Sequence, residues 1–153
     1  MRFRVVPAAY VLPLRRVGQI DEVLLQLRRG TGYMDGHWAA AAAGHVEVDE
    51  SVQAAACREV AEELGIAVEP ADLVPLTTMH RTQGNHNEID ERVDFFFACR
   101  SWTGEPRLME EAKAADLRWY SLDDLPEPLV PHERFVLAGM RGADLPAIVS
   151  YGF

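Results

Sequence analysis

An α/β domain built on a mixed sheet is the fold this sequence predicts, and three observations carry the prediction. Short apolar segments recur along the chain, one well-capped helix occupies residues 51–64, and a second helix is signalled near the end by Pro131. Strands interleaved with only two helices favour a sheet with both parallel and antiparallel neighbours. The 153 residues, 48% of them apolar, suffice for one hydrophobic core. Neither repeats nor a long linker interrupt them, so a single domain over residues 1–153 is expected.

Residues 3–12 (FRVVPAAYVL) read as a strand carrying a proline, followed by a turn at Arg15–Gly18 and a second strand at Glu22–Gln26, a pair with hairpin spacing. Arg28–Gly36 is polar and glycine-containing, hence a loop. Five alanines follow Trp38. Their intrinsic preference is helical, but Ala39–Ala43 is shorter than two turns and is closed by Gly44, so extended chain is expected there. Ser51 can cap the clear helix that follows, and Gly65 can end it. On that helix Cys57, Val60, Ala61 and Leu64 share a core-facing side, with Glu59, Glu62 and Glu63 on a neighbouring polar side. Ile66–Val68, Leu73–Met79, Val93–Cys99 and Leu117–Tyr120 read as strands, His80–Glu91 as a polar loop, Leu122–Leu125 as a short element and Pro131–Gly139 as the second helix.

The formal charge of −9 disfavours a nucleic-acid polymer as partner, since neutralising its backbone needs clustered Lys and Arg. It leaves nucleotides open, because divalent cations can bridge an acidic site to a polyphosphate. No run of eighteen apolar residues is present and the opening MRFRVVPAAY lacks a signal-peptide core, so no membrane association and a cytoplasmic location are expected. Cys57 and Cys99 have no metal-ligand spacing and read as two small thiols in a reducing compartment.

Glu59, Glu62 and Glu63 stand at i, i+3 and i+4, which brings their carboxylates together along one helix face. Arg58 can pair with Glu62 one turn on. A solvated glutamate face is the plain alternative; a divalent cation is the chemical one, because magnesium takes a few carboxylate oxygens together with waters and substrate phosphates. The surrounding residues decide between them. Gly44 is followed by five residues and Glu50, then seven residues and Arg58-Glu59-Val60-Ala61-Glu62-Glu63-Leu64-Gly65-Ile66.

This segment is a complete match to the signature box of the Nudix hydrolase family, which the chain therefore resembles. By ordinary residue frequencies such a match arises by chance in about one chain in ten million of this length, so coincidence is set aside. The resemblance implies an α/β/α sandwich with a mixed sheet and a catalytic loop-helix-loop at residues 44–66. It implies magnesium, with manganese as a substitute, held by Glu59 and Glu63, with Glu62 as a further ligand and the peptide carbonyl of Ala43 as a backbone ligand. Arg58 and Glu50 resemble the ion pair that fixes the loop against the helix. A carboxylate from outside the box is implied as well, and Glu110, in the loop before Leu117, is its candidate, with Glu111 as the alternative. One departure is Ala42, where relatives often carry proline; the change loosens the approach loop by about 0.4–1 kcal/mol without removing a ligand.

The implied reaction is hydrolysis of a phosphate anhydride in a nucleoside diphosphate derivative. A nucleoside triphosphate cleaved to monophosphate and pyrophosphate is the first expectation for so small a domain, with ADP-ribose or a nucleotide sugar as the alternative and a noncatalytic nucleotide-binding module as the reading from another class. The family often pairs, so a homodimer is compatible with the resemblance. Trp38 reads first as a core side chain and second as a base-stacking one. His80, His86 and His132 are candidate acids or phosphate contacts, Arg28 and Arg29 candidate phosphate contacts, with exposed surface residues as the plain reading of each.

Overall fold

The computed structural model describes residues 2–153. Strands β1 (Val6–Val17) and β2 (Ile20–Arg28) form the opening hairpin. Its turn is only Gly18–Gln19, because Gly18 takes φ 65 and reverses the chain tightly. Arg15 and Arg16, expected in the turn, therefore extend the strand instead, paired with Glu22 and Asp21. The alanine run is extended, as β3 (Trp38–Ala40) and β4 (Ala42–His45). The two part at Ala41: β3 pairs with β2, while β4 pairs with β1.

The remaining elements are helix α1 (Val52–Leu64), β5 (Leu73–Arg81), β6 (Arg92–Cys99), β7 (Ala114–Ser121), helix α2 (Pro131–Gly142) and β8 (Ile148–Tyr151). The sheet runs β3-β2-β1-β6-β5-β8, with β4 beside β1 and β7 beside β2. β1 with β6 and β5 with β8 are parallel and the other pairs antiparallel, which makes the sheet mixed.

Side-chain alternation along β1 divides the core. Ala8, Tyr10, Leu12 and Leu14 join a buried cluster with Val136 and Leu137 of α2. Ala9 and Val11 join a second cluster with Ala55, Ala56, Val60 and Leu64 of α1. One helix thus covers each face, the layering expected from the sequence.

Ser51 caps α1 by accepting the Ala54 N–H at 3.1 Å, and Gly65 closes it at φ 66. The buried stripe differs from the expected one. Ala55 and Ala56 are buried, Cys57 is half-buried and Ala61 is exposed. The helix is turned so that its two alanines meet Ala9, Ala41 and Ala42, and small residues facing small residues bring it close to the sheet. Ala56→Leu should therefore overpack this contact and cost about 1–3 kcal/mol, read as a lower denaturant midpoint with unchanged slope.

Three other expectations are corrected. Ile66–Val68 is not a strand: only Ala67 bridges, to Thr103, because the left-handed Gly65 precedes it and Gly104, at φ 99, ends its partner. β5 continues through His80 to Arg81, since these pair with Val93 and Arg92. β8 was not foreseen; it is four residues long and only Val149 is buried, too short a pattern to signal itself.

Candidate active site

The site grows from the free edge of β4. Val46 donates to the Pro7 carbonyl at 3.0 Å, and in an antiparallel ladder bonded pairs alternate with unbonded ones. Gly44 therefore bonds towards β1, while the backbone groups of Ala43 and His45 point away from it, towards α1. The Ala43 N–H donates to Glu63 Oε2 at 2.7 Å, and the His45 carbonyl accepts from Arg58 Nη2 at 3.0 Å. By the same alternation the Ala43 carbonyl lies on this edge, beside the glutamates. Gly44 lets them approach: a Cβ there would meet the Glu59 carboxylate at 2.2 Å.

Arg58 organises the carboxylates around this edge. It donates to Glu50 through Nε and Nη2 at 2.7 and 2.9 Å, and its Nη1 reaches Glu59 at 2.7 Å and Glu62 at 3.3 Å. The Glu50 carboxylate also accepts the Glu47 N–H, folding the loop that enters α1. The Arg58 hydrogen bonds hold Glu50 down to about 2. The folded pKa lies below the unfolded one, so this pair stabilises fully above about pH 4.5 and its contribution is lost as pH falls towards 2. Arg58→Ala and Glu50→Gln should each lower the melting temperature, with the double variant no worse than the poorer single one; additive losses would show that the two act separately.

Glu63 has the opposite environment. Burial raises its pKa to about 8, against the Ala43 N–H that favours the anion, and the charges of Glu59 and Glu110 add to the rise. Burial also raises Glu59, opposed by the Arg58 hydrogen bond and reinforced by Glu62 and Glu110. Glu62 is the most exposed of the three helix glutamates bonded to Arg58 or Ala43, half of its side chain facing solvent.

The loop carrying Glu110 is pinned to the end of α1. Arg107 donates its backbone N–H to the Leu64 carbonyl at 3.0 Å, and Met109 donates to the Glu63 carbonyl at 3.1 Å. Lys113 sits 3.2 Å from the Glu110 carboxylate. Glu111 is exposed, and its peptide carbonyl is held by Arg29. Of the two candidates, Glu110 is the one whose charge bears on Glu59 and Glu63.

Among the described residues no three acidic, His or Cys side chains converge closely enough to hold a metal ion by themselves. The donors nevertheless suit a hard cation: carboxylates of Glu59, Glu63 and Glu110, a backbone carbonyl at Ala43, and a buried glutamate that needs positive charge to ionise at neutral pH.

A cavity of about 450 Å³ adjoins this edge on the α2 side of the sheet, lined by Tyr10, Tyr33, Gly44, Arg81, Arg92 and Glu133 among others. Composition hid this cluster; its one sequence signal is Asp94, a lone acid in the apolar run Val93–Cys99, which lies fully buried beneath it. Trp38 is core, edge-on to Tyr120. His132 is buried beside Tyr10, where burial and nearby arginines push its pKa down to about 2 and keep it neutral. His86 is exposed in its loop, and His80 packs against Phe153. Arg28 is engaged with the Tyr33 carbonyl and Thr31.

The NUDIX domain profile matches residues 4–139, most of the chain, and the box lies inside that match. The chain belongs to the Nudix family. It is a hydrolase of the kind that acts on nucleoside diphosphate derivatives, and Nudix hydrolases generally use divalent metals. It is 30% identical over 118 residues to the uncharacterized Nudix hydrolase YvcI of Bacillus subtilis, covering 76% of this chain and 70% of that protein. It is 32% identical over 130 residues to the human 8-oxo-dGDP phosphatase, covering 81% of this chain but only 36% of that longer protein. The crystal structure of a MutT Nudix hydrolase from Burkholderia pseudomallei superposes with a TM-score of 0.76 at 30% identity, covering 89% of this chain and 98% of that one. The Nudix domain of Shewanella oneidensis NrtR, solved with ADP ribose, shares the fold at a TM-score of 0.73 and 19% identity, covering 93% and 90%.

Proposed function

We propose that this Nudix hydrolase cleaves a nucleoside triphosphate between the α and β phosphorus atoms, giving a nucleoside monophosphate and pyrophosphate, with magnesium or manganese bound at the box. One domain spanning residues 1–153 does this, in a reducing cytoplasm that suits its free cysteines. The observation that carries the reading is Glu63. A glutamate whose pKa burial raises to about 8, bonded to the Ala43 N–H of a strand edge and sharing its helix face with Glu59, has the environment a cation ligand needs.

Glu59, Glu63, Glu110 and the Ala43 carbonyl would hold the cation, and Glu62 would assist from the exposed margin. When bound, it supplies Lewis acidity: it acidifies water and takes up charge on the phosphate oxygens. Arg58 and Glu50 keep the loop and Glu59 in register. Glu110, from the loop pinned to the end of α1, would add a carboxylate from outside the box to position the attacking water.

Mass spectrometry of the products from nucleoside triphosphates, ADP-ribose and nucleotide sugars, with magnesium and with chelator, tests this. Monophosphate and pyrophosphate are expected from a triphosphate. Turnover confined to ADP-ribose or a nucleotide sugar would move the substrate assignment, and none across the panel would leave a nucleotide-binding module. In the same assay Glu110→Gln should lower turnover about a hundredfold and raise the magnesium requirement, while Glu111→Gln stays near wild type. Wild-type behaviour of Glu110→Gln at limiting magnesium would place the completing group elsewhere.

A further inference from the structure

The wall of the cavity beside the box is an arginine pair that the catalytic reading leaves unused. Arg81 of β5 and Arg92 of β6 stand directly opposite each other across an antiparallel ladder, where like charges repel. Asp94 holds them there. It is fully buried and accepts Arg81 Nε at 2.7 Å through Oδ2, while its Oδ1 lies 3.6 Å from Arg92 Nε. Neither Asp94 Oδ1 nor the buried Arg92 Nε has a hydrogen-bond partner. One carboxylate thus bonds the Arg81 guanidinium and lies within ion-pair range of the other, and both arginines line the cavity.

Register places this wall relative to the box. Ala8 of β1 lies between His45 of β4 and Asp94 of β6, and Ala8 and Asp94 are both buried. Ala43, Gly44 and His45 of the β4 edge line the same cavity as Arg81 and Arg92. A substrate whose phosphates meet the Ala43–Gly44 edge can therefore lay its next group in this cavity, against Arg92. Glu133, which accepts the Ala40 N–H at 2.6 Å, faces the same cavity. A second anion would meet that carboxylate as well as the arginines, so a neutral group rich in acceptors is the better complement.

We propose that Arg81 and Arg92, fixed by Asp94, select a nucleobase carrying a ring carbonyl where adenine and cytosine carry an amino group. The proposal rests on the nucleotide substrate proposed above. A guanidinium is a donor only, and its fork matches the adjacent O6 and N7 acceptors of a 6-oxopurine; uracil likewise offers O4. Adenine and cytosine turn an amino donor towards the same wall, leaving donors facing donors. A lactam also carries an N–H beside its carbonyl, for which Glu133 is an acceptor.

The decisive comparison is between bases of one size. Steady-state kcat/KM for ITP against ATP, and for UTP against CTP, is measured with magnesium. Binding of the monophosphates IMP, AMP, UMP and CMP is measured by calorimetry in chelator. At least one carbonyl base should be favoured by about tenfold or more in both measurements, and Arg92→Gln should reduce that preference to about twofold. Preference within the purine pair alone, or the pyrimidine pair alone, settles the base size the carbonyl rule acts on. Equal use of both members in both pairs, preference for the amino bases, or a folded Arg92→Gln that keeps the full preference would overturn the proposal. If Arg92→Gln does not fold, the wild-type ratios decide. Should no triphosphate be hydrolysed while IMP or UMP binding retains its advantage, the proposed reaction falls and the base selection stands; unselective hydrolysis has the reverse meaning.

Discussion

Glu63→Gln is expected to remove about a thousandfold of turnover while making the metal-free protein more stable at pH 8. The two effects have one cause. Glutamine keeps the size of the side chain and an oxygen for the Ala43 N–H, but it loses the charge that the proposed cation needs, equivalent to about 4 kcal/mol of transition-state stabilisation. Without metal that charge is a burden. The folded pKa, about 8, lies above the ordinary carboxylate value of 4.5, so the folded state holds the proton more firmly than the unfolded chain does. Metal-free stability should therefore be highest below about pH 4.5 as far as this group is concerned, and should fall as pH rises towards 8. In Glu63→Gln that decline should flatten. Chelator-treated melts across this range, set beside turnover at limiting magnesium, check both halves. An unchanged slope would deny that the carboxylate is desolvated, and wild-type turnover would deny that it is a ligand.

Gly44→Ala should lower turnover about a hundredfold and leave the fold nearly intact. The added Cβ would lie 2.2 Å from the Glu59 carboxylate carbon and Oε1 and 2.6 Å from Oε2, so the carboxylate has to leave its place. It can do so cheaply, because it is the far end of a flexible side chain, and Gly44 does not use the left-handed conformation that would strain alanine. Melting should stay within about 3 °C of wild type while activity collapses. A variant that keeps its turnover would mean that Glu59 works equally well displaced, and the close approach of strand and helix would then be packing alone.

The site was legible to different depths. The shared face of Glu59, Glu62 and Glu63 follows from spacing, since a capped helix fixes which side chains lie together, whereas the Glu50–Arg58 pair was implied by the resemblance to the Nudix box and is present at 2.7 Å. Glu110 rested on a looser argument, and what the fold adds is the backbone bonds from Arg107 and Met109 that tie its loop to the end of α1. The buried face of α1 was misread by part of a turn. Alanine is apolar enough to be placed on either side of a helix, and the side it takes here depends on the alanines of the sheet opposite.

Chemistry encoded in contiguous residues was determined by the sequence alone. The Nudix box, the helix between Ser51 and Gly65, the mixed α/β architecture and the carboxylate donors all arise from short-range periodicity, capping and spacing. What only the tertiary structure decided is where distant segments meet. The alanine run has helical propensity, yet pairing with β1 and β2 makes it the strand edge on which Glu63 and Arg58 close. Arg81, Arg92, Asp94 and Glu133 come from three elements and become one cavity wall through strand register and the seating of α2. Propensity and periodicity act over one element, whereas register and face are set by the competition of all elements for the same core, and the residues beyond the box take their places from that competition.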